Sequence, residues 1–387
     1  MSVFYAHLRT GAAAVVAASA LAGAAQAQTV ATPDVVAAAV ASSGGIDFAN
    51  AKPMPMPTVS KEFAASAAGF AAAAAVGAPG FERGGGGNGD LAPVRLAPAL
   101  DLTSKAASKA GVSPQEFGTN NHPYTTARVN AVGNVTANYY PFRAAGKLFF
   151  KIGSSSYVCS AALIKPGLLA TAAHCVSNFG KSQFYTGFTF VPAYSNGAAP
   201  YGSYTGRQAR VLTSYYKGTD SCATKGVVCQ NDVAVIALNP VSNVYPGTRT
   251  GWFGYGWNGY GFTNSGIALI TQLGYPVALD SGALMERTDS QGVRTSSASN
   301  NTVIGSLQTG GSSGGPWVVN LGVAPVLNGT SFGSEGNNNV IVGSTSWGYT
   351  STLPKEQGAS AYTTTNIVAL VNAQCAATPQ VCSTSKK

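Results

Sequence analysis

The sequence predicts an all-β domain over residues 121–387, and three observations support this prediction. Short apolar or alternating runs recur there, punctuated by Gly, Pro, Asn and Ser. Charged residues make up only 10% of the chain and glycines number 47, which is typical of loop-rich β proteins and unlike coiled coils or helical bundles. Apolar residues make up 45%, enough for a sizeable core.

The predicted elements of this domain are seven strands and one helix. The strands are expected at 147–152, 157–164, 168–171, 188–191, 210–215, 233–238 and 340–345. Near the end of the chain, Ile367, Leu370 and Val371 have the i, i+3, i+4 spacing of a helix.

Residues 1–27 have the pattern of a secretory signal peptide. Arg9 supplies a basic region, residues 11–23 form a short apolar run, and Ala25-Gln26-Ala27 matches an A-x-A cleavage site. We therefore expect cleavage near Ala27 and a secreted or periplasmic protein. No later stretch reaches the roughly 20 apolar residues of a membrane span.

Residues 28–120 are expected to form a pro-segment or flexible N-terminal extension. They contain no cysteine, and 6 bases against 7 acids give a net charge of −1, whereas 16 bases and 7 acids give +9 over 121–387. A helix is expected around 60–77, and the four glycines at 84–87 suggest a flexible stretch. We expect a mature N-terminus between about residues 84 and 135.

Six cysteines and the charge pattern limit the partners. The cysteines are Cys159, Cys175, Cys222, Cys229, Cys375 and Cys382. An even count in an exported chain indicates disulfides, but six cysteines leave the connectivity open. A zinc site is the weaker alternative, since no C-x-x-C pair occurs and the histidines besides His174 are His7 and His122. Bases are scattered rather than clustered, which argues against a nucleic-acid site.

A serine among glycines, Ser313, is the candidate nucleophile. Glycines allow a tight turn that aims backbone N–H groups at a substrate carbonyl. Residues 311–315 also match the G-x-S-x-G turn of α/β-hydrolases, but that fold needs a histidine after the serine and none follows Ser313. The chain order His, Asp, Ser remains.

His174 and Asp232 are the candidates for the other two positions. A serine hydroxyl needs a base, and His174 is the histidine within the predicted domain, apart from His122 at its edge. The imidazole needs a carboxylate to orient it. Asp232 leads directly into an apolar strand that could bury it, whereas Asp220, Asp280 and Asp289 lie among Gly, Ser and Thr.

These blocks resemble the trypsin/chymotrypsin-like serine peptidases. Residues 171–175, 231–238 and 311–316 resemble the three triad blocks of that family. Residues 158–164, 346–348 and 362–371 resemble its cysteine strand, its cleft-lining segment and its closing strand with C-terminal helix. Residues 140–142 and 146–150 resemble the secreted bacterial branch that includes glutamyl endopeptidases. The resemblance covers roughly 135–375.

The resemblance implies a double β-barrel with a C-terminal helix and a catalytic triad between the barrels. Ser313 would be the nucleophile, His174 its base and Asp232 the stabilising acid. The Gly311 and Ser313 amides would form the oxyanion hole. Ser346 would hydrogen-bond Asp232, and Ser346, Trp347 and Gly348 would pair with substrate as an added strand. The resemblance also implies a Cys159–Cys175 bridge, and Cys222–Cys229 and Cys375–Cys382 are expected as local staples.

Specificity is the least determined property. Counting back from Ser313 places Leu307 and Gln308 at the pocket floor and Ser360 in its wall. Thr345 stands where glutamyl endopeptidases often have a histidine, so we expect a small or apolar uncharged residue before the cut. Ser312 stands where animal relatives have the aspartate that receives a new N-terminus, so activation by that ion pair is not expected.

The sequence therefore predicts a secreted serine endopeptidase that needs no metal or other cofactor. Its expected partners are polypeptide substrates, with no nucleic acid and no membrane span, and the enzyme is expected to be a monomer. Two alternatives remain open: a catalytically inactive binding protein on the peptidase fold, and a secreted serine esterase.

Overall fold

The computed structural model describes residues 34–40, 45–59, 77–102, 123–130, 134–220, 230–294, 301–322, 337–349 and 355–383. The signal peptide, residues 60–76 of the expected helix, and both Cys222 and Cys229 lie outside these residues.

Six short strands precede the barrels. They are β1 (Val35–Ala39), β2 (Lys52–Pro53), β3 (Thr58–Val59), β4 (Gly80–Glu82), β5 (Val94–Arg95) and β6 (Tyr124–Arg128).

The first barrel is built from nine strands, six of which form its wall. They are β7 (Ala145–Ile152), β8 (Ser155–Lys165), β9 (Leu168–Thr171), β10 (Ser177–Asn178), β11 (Gln183–Phe184), β12 (Thr186–Pro192), β13 (Ala198–Ala199), β14 (Tyr204–Leu212) and β15 (Ala234–Leu238). The wall has the order β14-β12-β7-β8-β9-β15, and pairing of β14 with β15 closes it.

The second barrel follows directly and has the same plan. Its strands are β16 (Gly254–Trp257), β17 (Ile267–Gly274), β18 (Glu286–Arg294), β19 (Asn301–Gly305), β20 (Pro316–Val319), β21 (Val340–Tyr349) and β22 (Glu356–Ala361). The wall has the order β20-β17-β18-β19-β22-β21, and pairing of β20 with β21 closes it. The predicted double β-barrel is confirmed.

The run of apolar residues in β8 is buried on both faces. Cys159, Ala161 and Leu163 pack inside the first barrel. Val158, Ala162 and Ile164 face the opposite way and join the core that the barrels share with the C-terminal helix. Side chains alternate across a strand, so a strand buried on both sides needs an unbroken apolar run, which is the pattern seen in the sequence.

Helices are few and short among the described residues. They are α1 (Val135–Asn138), α2 (Thr213–Lys217), α3 (Pro246–Thr250) and α4 (Ala369–Ala377), with a π-helical turn at Thr364–Val368 and 3₁₀ turns at Phe142–Ala144, Ala173–Cys175, Asp280–Gly282 and Pro379–Val381. The C-terminal helix was predicted, whereas the strand expected at 210–215 ends at Leu212 and gives way to α2. Gly218, with φ 72°, terminates that helix in the left-handed region. In the part of the chain that the structure describes, no helix has both the length and the apolar character of a membrane span.

The segment 34–102 packs along the barrels, where its strands extend their sheets. Strand β1 pairs antiparallel with β14, and β4 pairs antiparallel with β16. Strands β2 and β3 pair with β8 and β21, one on each barrel. The described part of this segment is therefore added to the domain rather than hanging free of it.

The glycine run at 84–87 was expected to be flexible, and the structure corrects this. The amides of Gly85 and Trp252 bond each other's carbonyl oxygens at 2.9 and 2.7 Å. A Cβ added at Gly84 would lie 2.4 Å from the Trp252 carbonyl oxygen, and one at Gly87 would lie 2.3 Å from the Gly251 nitrogen. The glycines are needed here for close backbone packing, which composition alone cannot distinguish from a linker.

Two disulfides lie in the described residues. Cys159 is joined to Cys175, with a sequence separation of 16, and Cys375 is joined to Cys382, with a separation of 7. These are two of the pairs expected from the sequence. The first ties β8 to the turn that carries His174, and the second fastens the end of α4.

Removing the Cys159–Cys175 bridge is expected to destabilise the fold. A Cys159→Ala/Cys175→Ala double variant should lose about 3 kcal/mol of unfolding free energy, because the unfolded chain regains the entropy of an open loop. Urea unfolding followed by circular dichroism measures this. The matched Cys375→Ala/Cys382→Ala variant opens a shorter loop and should lose less; an equal or larger loss there would contradict the loop-entropy explanation.

Candidate active site

The three candidate catalytic residues come together between the barrels. His174 lies in the 3₁₀ turn Ala173–Cys175 that follows β9, and Asp232 lies two residues before β15. Ser313 lies in the loop that leads into β20. The first barrel thus supplies the imidazole and the carboxylate, and the second supplies the hydroxyl.

A buried hydrogen bond joins the His174 ring to the Asp232 carboxylate. The His174 Nδ1 lies 2.7 Å from Asp232 Oδ2, and the His174 backbone amide donates to Oδ1 at 2.8 Å. His174 is 6% exposed and Asp232 only 1%, so this pair is shielded from water. In the neutral imidazole, a carboxylate oxygen at Nδ1 favours the tautomer with the proton on Nδ1 and the lone pair on Nε2.

Two serines of the second barrel hold Asp232, one through its carboxylate and one through its backbone amide. The Ser346 Oγ donates to Asp232 Oδ2 at 2.5 Å, which is the hydrogen bond expected from the sequence. The Ser360 Oγ accepts the Asp232 backbone N–H at 3.1 Å. Ser360 was expected in the wall of the specificity pocket, and its hydroxyl is engaged with Asp232. Side chains alternate along β22, so Ser360 faces Asp232 while Gln357, three residues earlier, lies on the opposite face.

The loop that carries Ser313 depends on two glycines. Gly311 has φ +95°, and a Cβ there would lie 2.5 Å from the Tyr275 carbonyl oxygen. Gly314 has φ +77°, and a Cβ there would lie 1.9 Å from Thr171 Oγ1. Any other residue at either position would be strained and would clash, which explains the glycine flanks of the motif.

The backbone amides of Gly311 and Ser313 are available to bind an anion. Among the described residues, neither N–H donates to another protein group. Ser160 of β8 holds the loop in this conformation: its amide donates to the Ser313 carbonyl oxygen at 2.8 Å, and its Oγ donates to the Gly311 carbonyl oxygen at 2.9 Å. Two fixed, unpaired amides on one loop can receive a developing oxyanion.

Ser312 contributes to the loop and carries no charge. Its Oγ donates to the Thr309 carbonyl oxygen at 2.7 Å, and the side chain is completely buried. A new N-terminal ammonium would find no carboxylate at this position.

The residues expected at the floor of the specificity pocket lie among polar, uncharged groups beside the Ser313 loop. Gln308 is buried and Leu307 half-buried. The Gln357 Nε2 donates to the Gln308 carbonyl oxygen at 2.7 Å and lies 3.1 Å from the Met56 sulfur. The Gln308 Nε2 donates to Thr288 Oγ1 at 3.2 Å, whereas its Oε1 is buried without a partner among the described residues.

Behind the pocket, a buried hydrogen-bond network fixes its wall. The Gln272 Nε2 donates to Thr345 Oγ1 at 2.8 Å and to Gln357 Oε1 at 2.5 Å. The Trp317 Nε1 donates to the same Thr345 oxygen at 2.9 Å. Thr345 therefore supplies a neutral hydroxyl where a histidine would place a cation.

The segment Ser346, Trp347 and Gly348 lies along the pocket in β21. The Trp347 indole is buried against Gly358, where an added Cβ would lie 1.8 Å from Trp347 Cε2. Its side chain thus stiffens the sheet, and the backbone is the part that faces the cleft. The Gly348 amide donates to the Pro57 carbonyl oxygen at 2.9 Å.

Two buried titratable groups belong to the first barrel, and one of them lies near Asp232. Burial raises the pKa of Tyr185 to about 12, and the charge of Asp232 adds to this. Burial lowers the pKa of Lys147 to about 8, and its Nζ donates to the Gly282 carbonyl oxygen at 2.8 Å. Tyr185 is therefore a neutral phenol at pH 7 and adds no second negative charge beside Asp232.

One group of possible metal ligands occurs among the described residues: Cys159, His174 and Cys175. Its two sulfurs are joined in the disulfide, and the Nδ1 of His174 faces Asp232. The thiolates that would bind a metal are absent, so this group does not fit a metal centre.

A comparison with protein families decides what this arrangement belongs to. The model of the family described as Trypsin matches residues 131–371, well over half of the chain. The chain belongs to the trypsin family. Trypsin-family proteins are serine endopeptidases, which are hydrolases, and the resemblance to trypsin/chymotrypsin-like peptidases is confirmed.

Individual relatives of this trypsin-family chain are more distant. An extracellular metalloprotease of Bacillus subtilis (strain 168) is 30% identical over 118 residues, which is 30% of this chain and 34% of that protein; the chain thus matches about a third of the length of this curated relative. The protease Anisep of Arthrobacter nicotinovorans is 25% identical, with a TM-score of 0.47 over 62% of this chain and 96% of that one. A Glu endopeptidase is 20% identical, with a TM-score of 0.46 over 65% of this chain and 96% of that one.

Sequence reasoning missed two residues of the site. Ser160 was noted only as part of a strand, and Gln357 was not considered. Both act through contacts with segments more than 45 residues away, so no local motif marks them. A polar residue inside an apolar strand was the available signal for Ser160.

Proposed function

We propose that the chain is an exported serine endopeptidase that cleaves peptide bonds with a Ser313–His174–Asp232 triad. Ser313 Oγ attacks the carbonyl carbon while His174 Nε2 takes its proton. The Gly311 and Ser313 amides receive the resulting oxyanion, and His174 then returns the proton to the leaving amine. Water then attacks the acyl-enzyme while His174 takes a proton from it. His174 returns this proton to Ser313 Oγ as the acid product leaves.

One observation carries this proposal: the buried pair of His174 Nδ1 and Asp232 Oδ2 at 2.7 Å. It fixes the tautomer that leaves Nε2 as a base, and it lies beside a loop with two unpaired amides. A structural histidine would satisfy both ring nitrogens, whereas Nε2 and the Ser313 Oγ have no partner among the described residues. Unused hydrogen-bonding capacity on a base and a hydroxyl is expected where a substrate supplies the missing contacts.

Export and processing form the second part of the proposal. Residues 1–27 act as a signal peptide that is removed near Ala27, and residues 28–120 act as a pro-segment that is later cut away. Two disulfides in the described chain fit an oxidising compartment outside the cytoplasm. N-terminal sequencing of secreted, active protein should give a start between about 84 and 135; an active product that begins at Gln28 would make the segment a permanent extension.

Peptide hydrolysis by the processed protein tests the activity itself. We expect turnover of an amide substrate, at a rate that falls to background after treatment with a serine-directed fluorophosphonate. A folded, processed protein that binds peptides without cutting them would favour a binding protein on this scaffold. Turnover of esters with no measurable turnover of matched amides would favour an esterase.

The neutral pocket predicts the residue before the cut. Gln308, Gln357 and Thr345 offer dipoles but no net charge, and a buried unpaired carboxylate or ammonium costs several kcal/mol. Among peptides that differ only at this residue, Met, Leu and Gln should have kcat/KM values at least tenfold above Glu and Lys. A hundredfold preference for Glu, Lys or Arg would show that the pocket is formed by other residues.

A further inference from the structure

Residues 52–59 cross the candidate active site from one barrel to the other, and we call them the strap. At the first barrel, the Met54 amide donates to the Val158 carbonyl oxygen at 2.9 Å, and β2 pairs with β8. At the second barrel, the Pro57 carbonyl oxygen accepts the Gly348 amide at 2.9 Å, and β3 pairs with β21. The strap thus uses the backbone groups of β21 that a substrate would need.

The middle of the strap contacts Gln357 and Gly348 and approaches Gly310, in the loop that leads to Ser313. The Met56 sulfur lies 3.1 Å from Gln357 Nε2, and a Cβ added at Gly348 would lie 2.9 Å from this sulfur. A Cβ added at Gly310 would lie 3.3 Å from the Met54 carbonyl oxygen. With the strap in this position, Ser313 is 0% exposed and the His174 Nε2 is buried. The reactive atoms are therefore closed to a second peptide while the strap is in place.

The direction of the strap is opposite to that of a cleavable peptide. Ser346 contacts the triad through Asp232, and Gly348 lies two residues further from it along β21. A peptide with its scissile carbonyl at Ser313 and its preceding residues along β21 therefore runs from Gly348 towards Ser346, antiparallel to the strand. The strap pairs parallel, with Thr58 opposite Gly348 and Val59 opposite Tyr349. Because the strap runs in the opposite direction, the pattern of hydrogen bonds between its backbone and β21 differs from that of a substrate.

Proline placement gives the strap a second protection against cleavage. Pro53, Pro55 and Pro57 alternate with other residues, so each peptide bond from Lys52 to Thr58 has a proline on one side. A proline nitrogen carries no N–H to pair with a neighbouring strand, and its ring fixes φ near −65°. At every peptide bond in this stretch, one of the two flanking residues is therefore a proline. That residue cannot pair with the enzyme through an N–H as a bound substrate residue would.

Both ends of the strap are fastened to the domain. Upstream, the Asp47 amide donates to Ser156 Oγ at 3.0 Å, and the rings of Phe48 and Phe149 lie 4.9 Å apart. Downstream, Phe81 of β4 pairs with Gly256 of β16. A segment anchored on both sides has a high effective concentration at the cleft, so weak contacts are enough to keep it there.

We propose that the strap is an autoinhibitory segment that binds the active site in the reverse direction, with Met56 as the residue that fills the specificity pocket. This inference rests on the proposed peptidase function and assigns its regulation. The intact chain is inactive because the pocket and the β21 backbone are occupied, and activation requires that the N-terminal segment be cut outside the strap and dissociate. Met56 also identifies a thioether-sized, uncharged side chain as one that this pocket accepts.

The rate of fluorophosphonate labelling of the intact chain tests the strap. In Met56→Glu, a carboxylate meets the neutral groups of Gln308 and Gln357 and weakens the strap, so Ser313 should be labelled at least tenfold faster than in the intact wild type. The matched control is Val94→Glu. Val94 also lies in the N-terminal segment 34–102 but outside the strap, and it is 51% exposed. It should label at the wild-type rate.

Two further measurements keep the outcome decisive. If Met56→Glu does not fold, Met56→Ala removes the thioether without adding charge and should also accelerate labelling.

A synthetic peptide of residues 52–59 should inhibit the processed wild-type enzyme competitively and remain uncut. The same peptide with Glu at the Met56 position should inhibit at least tenfold less. Labelling of the intact wild type as fast as that of Met56→Glu, or rapid cleavage of the peptide, would overturn the strap. Folded protein that is labelled at Ser313 in no variant and cleaves no peptide after processing would instead overturn the proposed function.

Discussion

Replacing Ser313 with alanine is expected to lower kcat for peptide hydrolysis by the processed enzyme by about 10⁴- to 10⁶-fold. In the proposed mechanism this hydroxyl forms the acyl-enzyme, and the neighbouring Ser312 Oγ is already hydrogen-bonded to the Thr309 carbonyl oxygen. The amides remain in the variant, so we expect a small residual rate that is still above the rate of uncatalysed peptide hydrolysis in water. Steady-state kinetics with an amide substrate measures this loss.

Ser154→Ala is the matched control for this variant. Ser154 lies exposed in the turn between β7 and β8, so loss of its hydroxyl should change kcat less than twofold. Thermal unfolding should show that Ser313→Ala is as stable as the wild type, because the Ser313 Oγ makes no hydrogen bond within the described protein. A Ser313→Ala enzyme that retains a tenth of the activity would exclude Ser313 as the nucleophile.

Changing Asp232 to asparagine is expected to lower kcat by about 10⁴-fold with little change in shape. In the wild type, both carboxylate oxygens only accept: Oδ1 from the His174 amide, and Oδ2 from His174 Nδ1 and the Ser346 hydroxyl. An asparagine turned to keep the bond from the His174 amide presents its NH₂ to the imidazole. His174 Nδ1 must then accept, which moves the proton to Nε2 and removes the base.

Asp289→Asn makes the same chemical change away from the site. Asp289 lies on β18 and binds Arg287 and Thr271, so its loss should alter kcat less than twofold. If Asp232→Asn lost no more than tenfold relative to this control, the carboxylate would not be what sets the His174 tautomer.

The fold could be predicted, and the three residues of the proposed triad selected, because each depends on local pattern. The unbroken apolar run of β8 reflects burial on both faces, and the glycines around Ser313 reflect two positive φ angles and two close contacts. Asp232 could be selected among four aspartates because the strand that follows it is apolar enough to bury it. In each case the physical requirement leaves a trace within about ten residues.

The features that were missed depend on contacts between distant segments. Counting along the chain suggested the pocket wall for Ser360, and it gave no sign of the contact that its side chain makes with Asp232, 128 residues away. Residues 84–87 have the composition of a linker, and only the carbonyl of Trp252 shows why glycine is needed there. The strap is the clearest case, since alternating prolines at 53, 55 and 57 suggest an extended segment but do not indicate that it crosses the active site.

Mapping a fluorophosphonate adduct by peptide mass spectrometry tests the central claim most directly. The processed wild-type enzyme should carry one adduct, on the peptide that contains Ser313, and Ser313→Ala should carry none. His174→Ala should react at least a hundredfold more slowly, since the hydroxyl then lacks its base. An adduct on any other residue, or equal labelling of the His174→Ala variant, would contradict the assignment of the triad.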